Sequence, residues 1–249
     1  MISLTIENGI AALTLSRPPV NALDEAMLEA VNGALDKVEA SDARVLILQS
    51  DQKSFCAGAD LAMINTLFSA PSPSEAMRGY AARLHATFDR IEALPQVSLA
   101  VINGHALGGG LELALSCDMR IAAEEASLGL PEAAVGLLPG AGGTQRLTQL
   151  CGPGVARRII LSAERINGAE AERVGLAQWV FPRATLAEEA MAIATRIAGL
   201  SPASLQASKR CIAAAGSPER AGFALEQREI CALMNLDETR QRIAGFFKR

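Results

Sequence analysis

Three consecutive glycines, Gly108–Gly110, interrupt the largely apolar stretch between Val97 and Leu115. Glycine loses more conformational freedom on folding than any other residue, roughly 0.5–1 kcal/mol against alanine within a regular element. Close packing of a helix on a strand is a weaker explanation for three in a row than a requirement for bare backbone. Val97–Ile102 reads as a buried strand and Gly109–Cys117 as a short helix opened by the glycines. A helix N-terminus presents free N–H groups, and its macrodipole favours negative charge there. Bare backbone also lets those groups approach a developing oxyanion.

Nucleotide-binding loops do not account for the glycines. Gly104-His105-Ala106 lacks the second glycine of the dinucleotide fingerprint, and Gly140-Ala141-Gly142 is followed by Gly143-Thr144-Gln145, without the last one. No Gly-Lys-Ser/Thr occurs, which excludes a P-loop.

Two acids stand beside the glycine-rich segments. Glu112 lies in Leu111-Glu112-Leu113-Ala114-Leu115, so burial is expected, and a buried carboxylate needs a partner or a task. Glu132 follows Pro131 in a loop; alone it would be an ordinary solvated acid, and its significance comes from the pairing. Pro139-Gly140-Ala141-Gly142-Gly143-Thr144 comes shortly after it. Two carboxylates with main-chain donors suffice for proton transfer next to a carbonyl, with no metal or redox cofactor. The third segment, Ser54–Asp60, contains Cys56, but no neighbouring histidine is evident to activate the thiol, so it reads as a small packing residue.

The strand, turn and helix alternation predicts an α/β body with largely parallel pairing. Ser3–Glu7 and Ile10–Ser16 alternate in polarity around Asn8-Gly9, a strong hairpin signal. A helix is expected over Asp24–Glu39, capped by Asp24, and another over Met77–Leu94. Val45–Gln49 and Met119–Ala123 read as strands, and the proline- and serine-rich Asn65–Ser74 as a surface loop. Thr185–Ala198, Pro202–Ala214, Pro218–Asn235 and Asp237–Phe247 read as consecutive helices. This predicts a catalytic body over 1–184 and a helical oligomerisation segment over 185–249. Its apolar positions Ile230, Leu233, Met234, Ile243, Phe246 and Phe247 are too many for a lone surface tail.

Composition narrows the classes. Aromatic residues make up 4 % of the chain, so the core must be built mainly from Ala, Leu, Ile and Val. A formal net charge of −4 and no long basic run argue against nucleic acid as a main partner. Met1–Glu7 lacks the basic start and apolar run of a signal peptide, and no stretch long enough for a membrane span occurs. The scattered cysteines fit reduced thiols in the cytoplasm, and His85 and His105 are too few for a zinc site or a Ser–His triad.

Together these segments resemble the crotonase family, the enoyl-CoA hydratases and isomerases. The resemblance runs from Leu15-Ser16-Arg17-Pro18 and Asn21-Ala22-Leu23 through Phe55–Asp60 and Asn103–Glu112 to Pro131-Glu132 and Pro139–Leu147. It implies a crotonase-like spiral of repeated ββα units with a C-terminal helical trimerisation segment, and a homotrimer or homohexamer. It implies that Glu112 and Glu132 are the catalytic acids and that the amides of Ala59 and Gly109 form an oxyanion hole. The acyl-CoA path would be lined by Val20, Ala22, Ala57, Asp60, Leu61, Ala62, Gly108, Leu130, Pro131 and Gly140. The expected activity is addition of water to a trans-2-enoyl-CoA. Coenzyme A enters as part of the substrate, and no separate cofactor or metal is expected. The alternatives are an enoyl-CoA isomerase, or a non-catalytic RNA-associated or scaffold protein on the same fold. Two departures stand out: Leu130 occupies a position where well-known hydratases have Gln, and Ala62 one where Lys is often found.

Overall fold

The first tight turn sets the edge of the main sheet. In the computed structural model, which describes residues 1–215 and the helical positions Arg228, Ala232, Asp237, Thr239 and Gln241, β1 (Ile2–Glu7) pairs antiparallel with β2 (Ile10–Leu15). Asn8 and Gly9 both have positive φ, 53° and 76°, the conformation whose twist matches paired strands.

Next along the chain come α1 (Glu25–Glu39), β3 (Val45–Ser50), α2 (Leu61–Leu67), α3 (Pro73–Ala93) and β4 (Val97–Ile102). They are followed by β5 (His105–Leu107), α4 (Gly109–Leu115), β6 (Met119–Ala123), β7 (Ser127–Gly129) and a 3-10 turn at Pro131–Val135. The described body closes with α5 (Gly143–Leu161), β8 (Arg165–Asn167), α6 (Gly168–Arg173), β9 (Trp179–Phe181), α7 (Leu186–Ala198) and α8 (Pro202–Ala213).

Two sheets run side by side. The larger has the order β1-β2-β3-β4-β6-β9, parallel from β2 onward, and the smaller has β5-β7-β8. Three successive turns of chain share one plan. A strand enters the large sheet, a second short segment crosses to the small one, and a helix follows. β4, β5 and α4 make one such turn, and β6, β7 and α5 make the next. In the turn before them β3 is the first strand, and Cys56, bridged to Ala106, stands in for the second. The ββα spiral expected from the sequence is therefore present.

Every residue of β4 is buried, as are the first four of β3. Strands covered on both faces read as continuous apolar runs, which is why these two were visible in the sequence. The strands β5, β7 and β8 span three residues each and carry no usable periodicity. The amphipathic α7 buries Leu186, Ala190, Ile193 and Ala194 and packs against β2, β3, β4, β6 and β9. Apart from the isolated helical positions, the helices expected at Pro218–Asn235 and Asp237–Phe247, with their apolar residues, lie outside the described residues.

The loop expected at Asn65–Ser74 is shorter than its composition suggests. The Asp60 side chain accepts from the Ala62 and Met63 amides and starts α2, which continues to Leu67. Pro73 sits in the first turn of α3, where its missing N–H is harmless, so it opens a helix instead of ending one. Among the described residues no helix is long and apolar enough to cross a membrane, and no cluster of His, Cys, Asp or Glu is arranged to hold a metal ion.

Asn21 fastens the loop before α1 to the segment after β3. It is fully buried with φ of 53°. Its Oδ1 accepts from the Arg17 amide at 2.7 Å, and its Nδ2 donates to Ser50 Oγ at 2.7 Å and to the Phe55 carbonyl at 2.9 Å. Alanine would lose these bonds and sit strained in the left-handed region. Asn21→Ala should lower the unfolding free energy by roughly 2–4 kcal/mol, read from urea denaturation midpoints at unchanged slope.

Candidate active site

The N-terminus of α4 lies directly on the Cys56–Ala59 segment. A Cβ on Gly110 would come within 2.0 Å of the Cys56 carbonyl oxygen, so only glycine allows this contact. Gly108 has φ 53° and ψ −129°, and a Cβ there would stand 2.7 Å from Glu132 Oε1. Close packing, which seemed the weaker explanation for the glycine run, therefore explains Gly110. Gly108 instead lets a carboxylate rest against bare backbone.

The opposite strand is held from its far side. The Leu23 amide donates to the Gly58 carbonyl at 2.8 Å, and the Leu23 carbonyl accepts from the Asp60 amide at 2.9 Å and the Tyr80 hydroxyl at 3.0 Å. In a parallel bridge these bonds use the residues flanking Ala59, so its own N–H points away from Leu23. The Ala59 nitrogen is 3.5 Å from the position a Gly109 Cβ would take. The Ala59 and Gly109 amides thus lie close together, and neither donates to a protein acceptor among the described hydrogen bonds.

Glu112 is 2 % exposed. Its Oε1 accepts from the Ala141 and Gly143 amides, each at 2.8 Å. Gly143 is the first residue of α5, so the helix dipole also favours the carboxylate. Arg146 braces the same loop. It donates to the Ala141 carbonyl at 3.1 Å while paired with Asp89 and Glu92 of α3 at 2.5 and 2.9 Å. Burial pushes the Glu112 carboxyl above its usual range, against the pull of the two amides and of His85 and Arg146. Both amides hold Oε1, which leaves Oε2 for other partners.

Glu132 sits in the 3-10 turn, not in an irregular loop. Its carboxyl is pushed up to about 7, chiefly by burial; its own backbone amide opposes the shift, and the Glu112 charge adds to it. Oε2 is buried with no hydrogen-bond partner among the described residues. Both carboxylates line one cavity of about 310 Å³, together with Ala59 and Gly109. The rest of its wall is mostly apolar, with Leu61, Met77, Leu84, Leu137 and Leu138.

Of the residues expected along the substrate path, Ala57, Leu61, Gly108, Pro131 and Gly140 line this cavity. The other five are not in its wall. Val20 offers its carbonyl to the Ala57 amide at 3.0 Å, and Ala22 offers its carbonyl to the Arg17 guanidinium. Asp60 caps α2 and pairs with Arg17, and Ala62 is exposed on the first turn of that helix. Leu130 is fully buried in the core. Cys56 is fully buried, its thiol donates to the Asn21 carbonyl, and burial pushes it up to about 12, as suits a packing residue.

Sequence reasoning assigned no role to Tyr80 or to the Ala141 and Gly143 amides. The glycine-rich run before α5 was visible, but its acceptor, Glu112, lies about thirty residues earlier and only folding joins them. Nothing local marks Tyr80.

A family profile described as enoyl-CoA hydratase/isomerase matches residues 5–249. The chain belongs to the enoyl-CoA hydratase/isomerase family. A Bacillus subtilis protein described as a probable enoyl-CoA hydratase is 40% identical, over 82% of this chain and 78% of its own. A crotonyl-CoA hydratase of Syntrophomonas wolfei is 41% identical, over 84% of this chain and 79% of its own. Among solved structures, an enoyl-CoA hydratase from Bacillus anthracis superposes with a TM-score of 0.93 at 35% identity, covering 99% of this chain and 96% of that one. Members of this hydratase/isomerase family set the frame for reading the two acids.

The raised Glu132 carboxyl has a consequence for stability. Between the ordinary value of 4.5 and about 7 the folded state holds a proton that the unfolded chain has released. The stabilisation is complete below 4.5 and is lost as pH rises through 7. Glu132→Gln should therefore match the parent protein near pH 5 and become the more stable of the two at pH 8, as read from paired urea curves at each pH. An unchanged gap across that range would contradict the raised carboxyl of Glu132.

Proposed function

We propose that this chain is an enoyl-CoA hydratase, adding water to a trans-2-enoyl-CoA to give the 3-hydroxyacyl-CoA. The observation that carries this reading is the convergence of two carboxylates, Glu112 buried and Glu132 half-buried, on one cavity beside two undonated amides. Shifting a double bond requires one base that removes and returns a proton. Hydration requires two proton-handling groups around one water, and this favours hydratase over isomerase.

In this mechanism the thioester oxygen accepts from the Ala59 and Gly109 amides. The water oxygen bonds to the β-carbon as ionised Glu112 takes one of its protons. Protonated Glu132 gives its proton to the α-carbon, and the enolate-like charge rests on the two amides. Each such donor contributes about 3 kcal/mol of transition-state stabilisation. The pair starts and ends with one proton, transferred from Glu132 to Glu112, and proton return resets it. The coenzyme A handle supplies ground-state binding that is used for positioning.

The electrostatics agree with this division. Glu112 is tied to two amides that favour its anion, whereas Glu132 has no donor on Oε2 and holds its proton up to about 7. A singly protonated pair predicts a bell-shaped dependence of kcat/KM on pH, with its alkaline limb near 7. Since the reaction consumes no net proton, hydration and dehydration must give the same profile.

Glu112→Gln and Glu132→Gln should each reduce hydration of crotonyl-CoA by about 100- to 10,000-fold while thioester binding survives. Exchange of the α-proton of a saturated acyl-CoA in heavy water separates the roles. Glu132→Gln should abolish it, and Glu112→Gln should leave more of it. Equal loss would mean that the acids act as one unit, and full hydration by either variant would refute the two-acid mechanism.

A trimer or hexamer belongs to the same reading. Leu200 and Ile212, at 47% and 73% exposure, leave apolar surface at the end of the described body. Light scattering should give the mass of three or six chains; a monomer at micromolar concentration would count against the assembly.

A further inference from the structure

Arg165 is the one basic side chain among the described residues lining the cavity. It opens β8, is exposed, and makes no hydrogen bond or ion pair with any described residue. The acids nearest it in sequence are already engaged. Glu164 pairs with Arg158 at 2.6 Å, and Glu170 pairs with Arg158 and with Arg173. Arg165 therefore has no counter-ion among the described residues.

Its placement follows from strand register. Gly129 of β7 stands opposite Arg165 on one side and Leu107 of β5 on the other. Leu107 leads into the Gly108–Gly109 turn, and the Gly108 amide donates to the Gly129 carbonyl at 3.0 Å. A Cβ on Gly129 would lie 3.4 Å from Arg165 Cγ and 2.8 Å from the Glu164 carbonyl oxygen. The arginine stem therefore lies over the bare backbone of Gly129, in the sheet row that ends at Leu107, two residues before Gly109. Two strand spacings, about 10 Å, separate the backbones of Leu107 and Arg165. Arg165 is exposed while lining the cavity, so its charge stands where solvent meets the wall.

The other charged groups in the wall are Glu112 and Glu132. Neither offers an entering anion a positive partner. A planar guanidinium with no internal acceptor matches carboxylate and phosphate oxygens in a two-pronged geometry. We propose that Arg165 is the anion-recognition residue of this cavity and binds a negatively charged group of the thioester substrate. The group is either a carboxylate at the far end of the acyl chain or a phosphate of the coenzyme A handle. The inference rests on the thioester reading above and adds a second, non-reacting contact to it.

Binding measured without turnover tests it. The probes are butyryl-CoA, butyryl-pantetheine, which lacks the nucleotide phosphates, and glutaryl-pantetheine, which adds a terminal carboxylate. Isothermal titration calorimetry gives Kd for the parent protein, Arg165→Met and Arg165→Lys. Methionine keeps much of the apolar stem without the charge, and an unchanged melting temperature is expected because the guanidinium is unpaired. If the acyl carboxylate is the ligand, Arg165→Met weakens glutaryl-pantetheine by about ten- to a hundredfold and leaves butyryl-pantetheine unchanged. If a phosphate is the ligand, the loss appears with butyryl-CoA and not with butyryl-pantetheine. In either case lysine restores part of the affinity, and the gap narrows as salt rises from low to high. Equal affinities of Arg165→Met and the parent protein for all three probes overturn the proposal. So does an equal loss on all three, which would signal a structural role, or a parent protein that binds none of them. Crotonyl-CoA hydration by the parent protein is measured separately. A hydratase that shows no effect at Arg165 retains the function and loses only this inference.

Discussion

The contact of α4 with the Cys56–Ala59 segment governs the rest of the site. It is backbone against backbone, and a single methyl group at Gly110 would meet the Cys56 carbonyl at 2.0 Å. Because that contact is so close, the Ala59 and Gly109 amides reach the same cavity. The Leu23 bonds on the far side of the segment keep the Ala59 amide turned toward it. The small sheet sets the distance from which Arg165 approaches, since Leu107, Gly129 and Arg165 follow one another across β5, β7 and β8.

The two acids differ because their surroundings differ. Both are raised by burial, yet Glu112 receives the amides of Ala141 and Gly143, and Glu132 Oε2 receives none among the described residues. Two amides and the His85 and Arg146 charges oppose the rise at Glu112, whereas only its own backbone amide opposes it at Glu132. Unlike surroundings for two carboxylates are a recurrent means of dividing acid and base roles, the division proposed above. The arrangement draws on long-range contacts. Arg146 fixes the Ala141 carbonyl from α5 and is itself fixed by Asp89 and Glu92 on α3.

Some of this was legible along the chain. The hairpin at Asn8-Gly9, the buried strands β3 and β4 and the capped helix α1 follow from local pattern. Glu112 drew notice as an acid among apolar neighbours, and Glu132 through its pairing with it. Five of the ten residues expected on the substrate path line the cavity, and the other five lie outside its wall. Asp60 and Leu130 illustrate why. Motif proximity places a residue near a site, but its side chain goes wherever local geometry sends it: Asp60 to the amides of α2, Leu130 into the core.

The sequence by itself determined the period of the long elements, the need for bare backbone at Gly108–Gly110 and the presence of two acids suited to proton transfer. These are properties of neighbouring residues, and 3.6- or two-residue periodicity and glycine's missing Cβ act over short range. Only the tertiary structure decided which amides hold Glu112, why the Glu132 carboxyl is raised and that Arg165 lines the cavity without a counter-ion among the described residues. Those outcomes depend on desolvation and on partners 29 or 31 residues away for Glu112. For Arg165 they depend on strand register, which three-residue strands do not reveal until they pair.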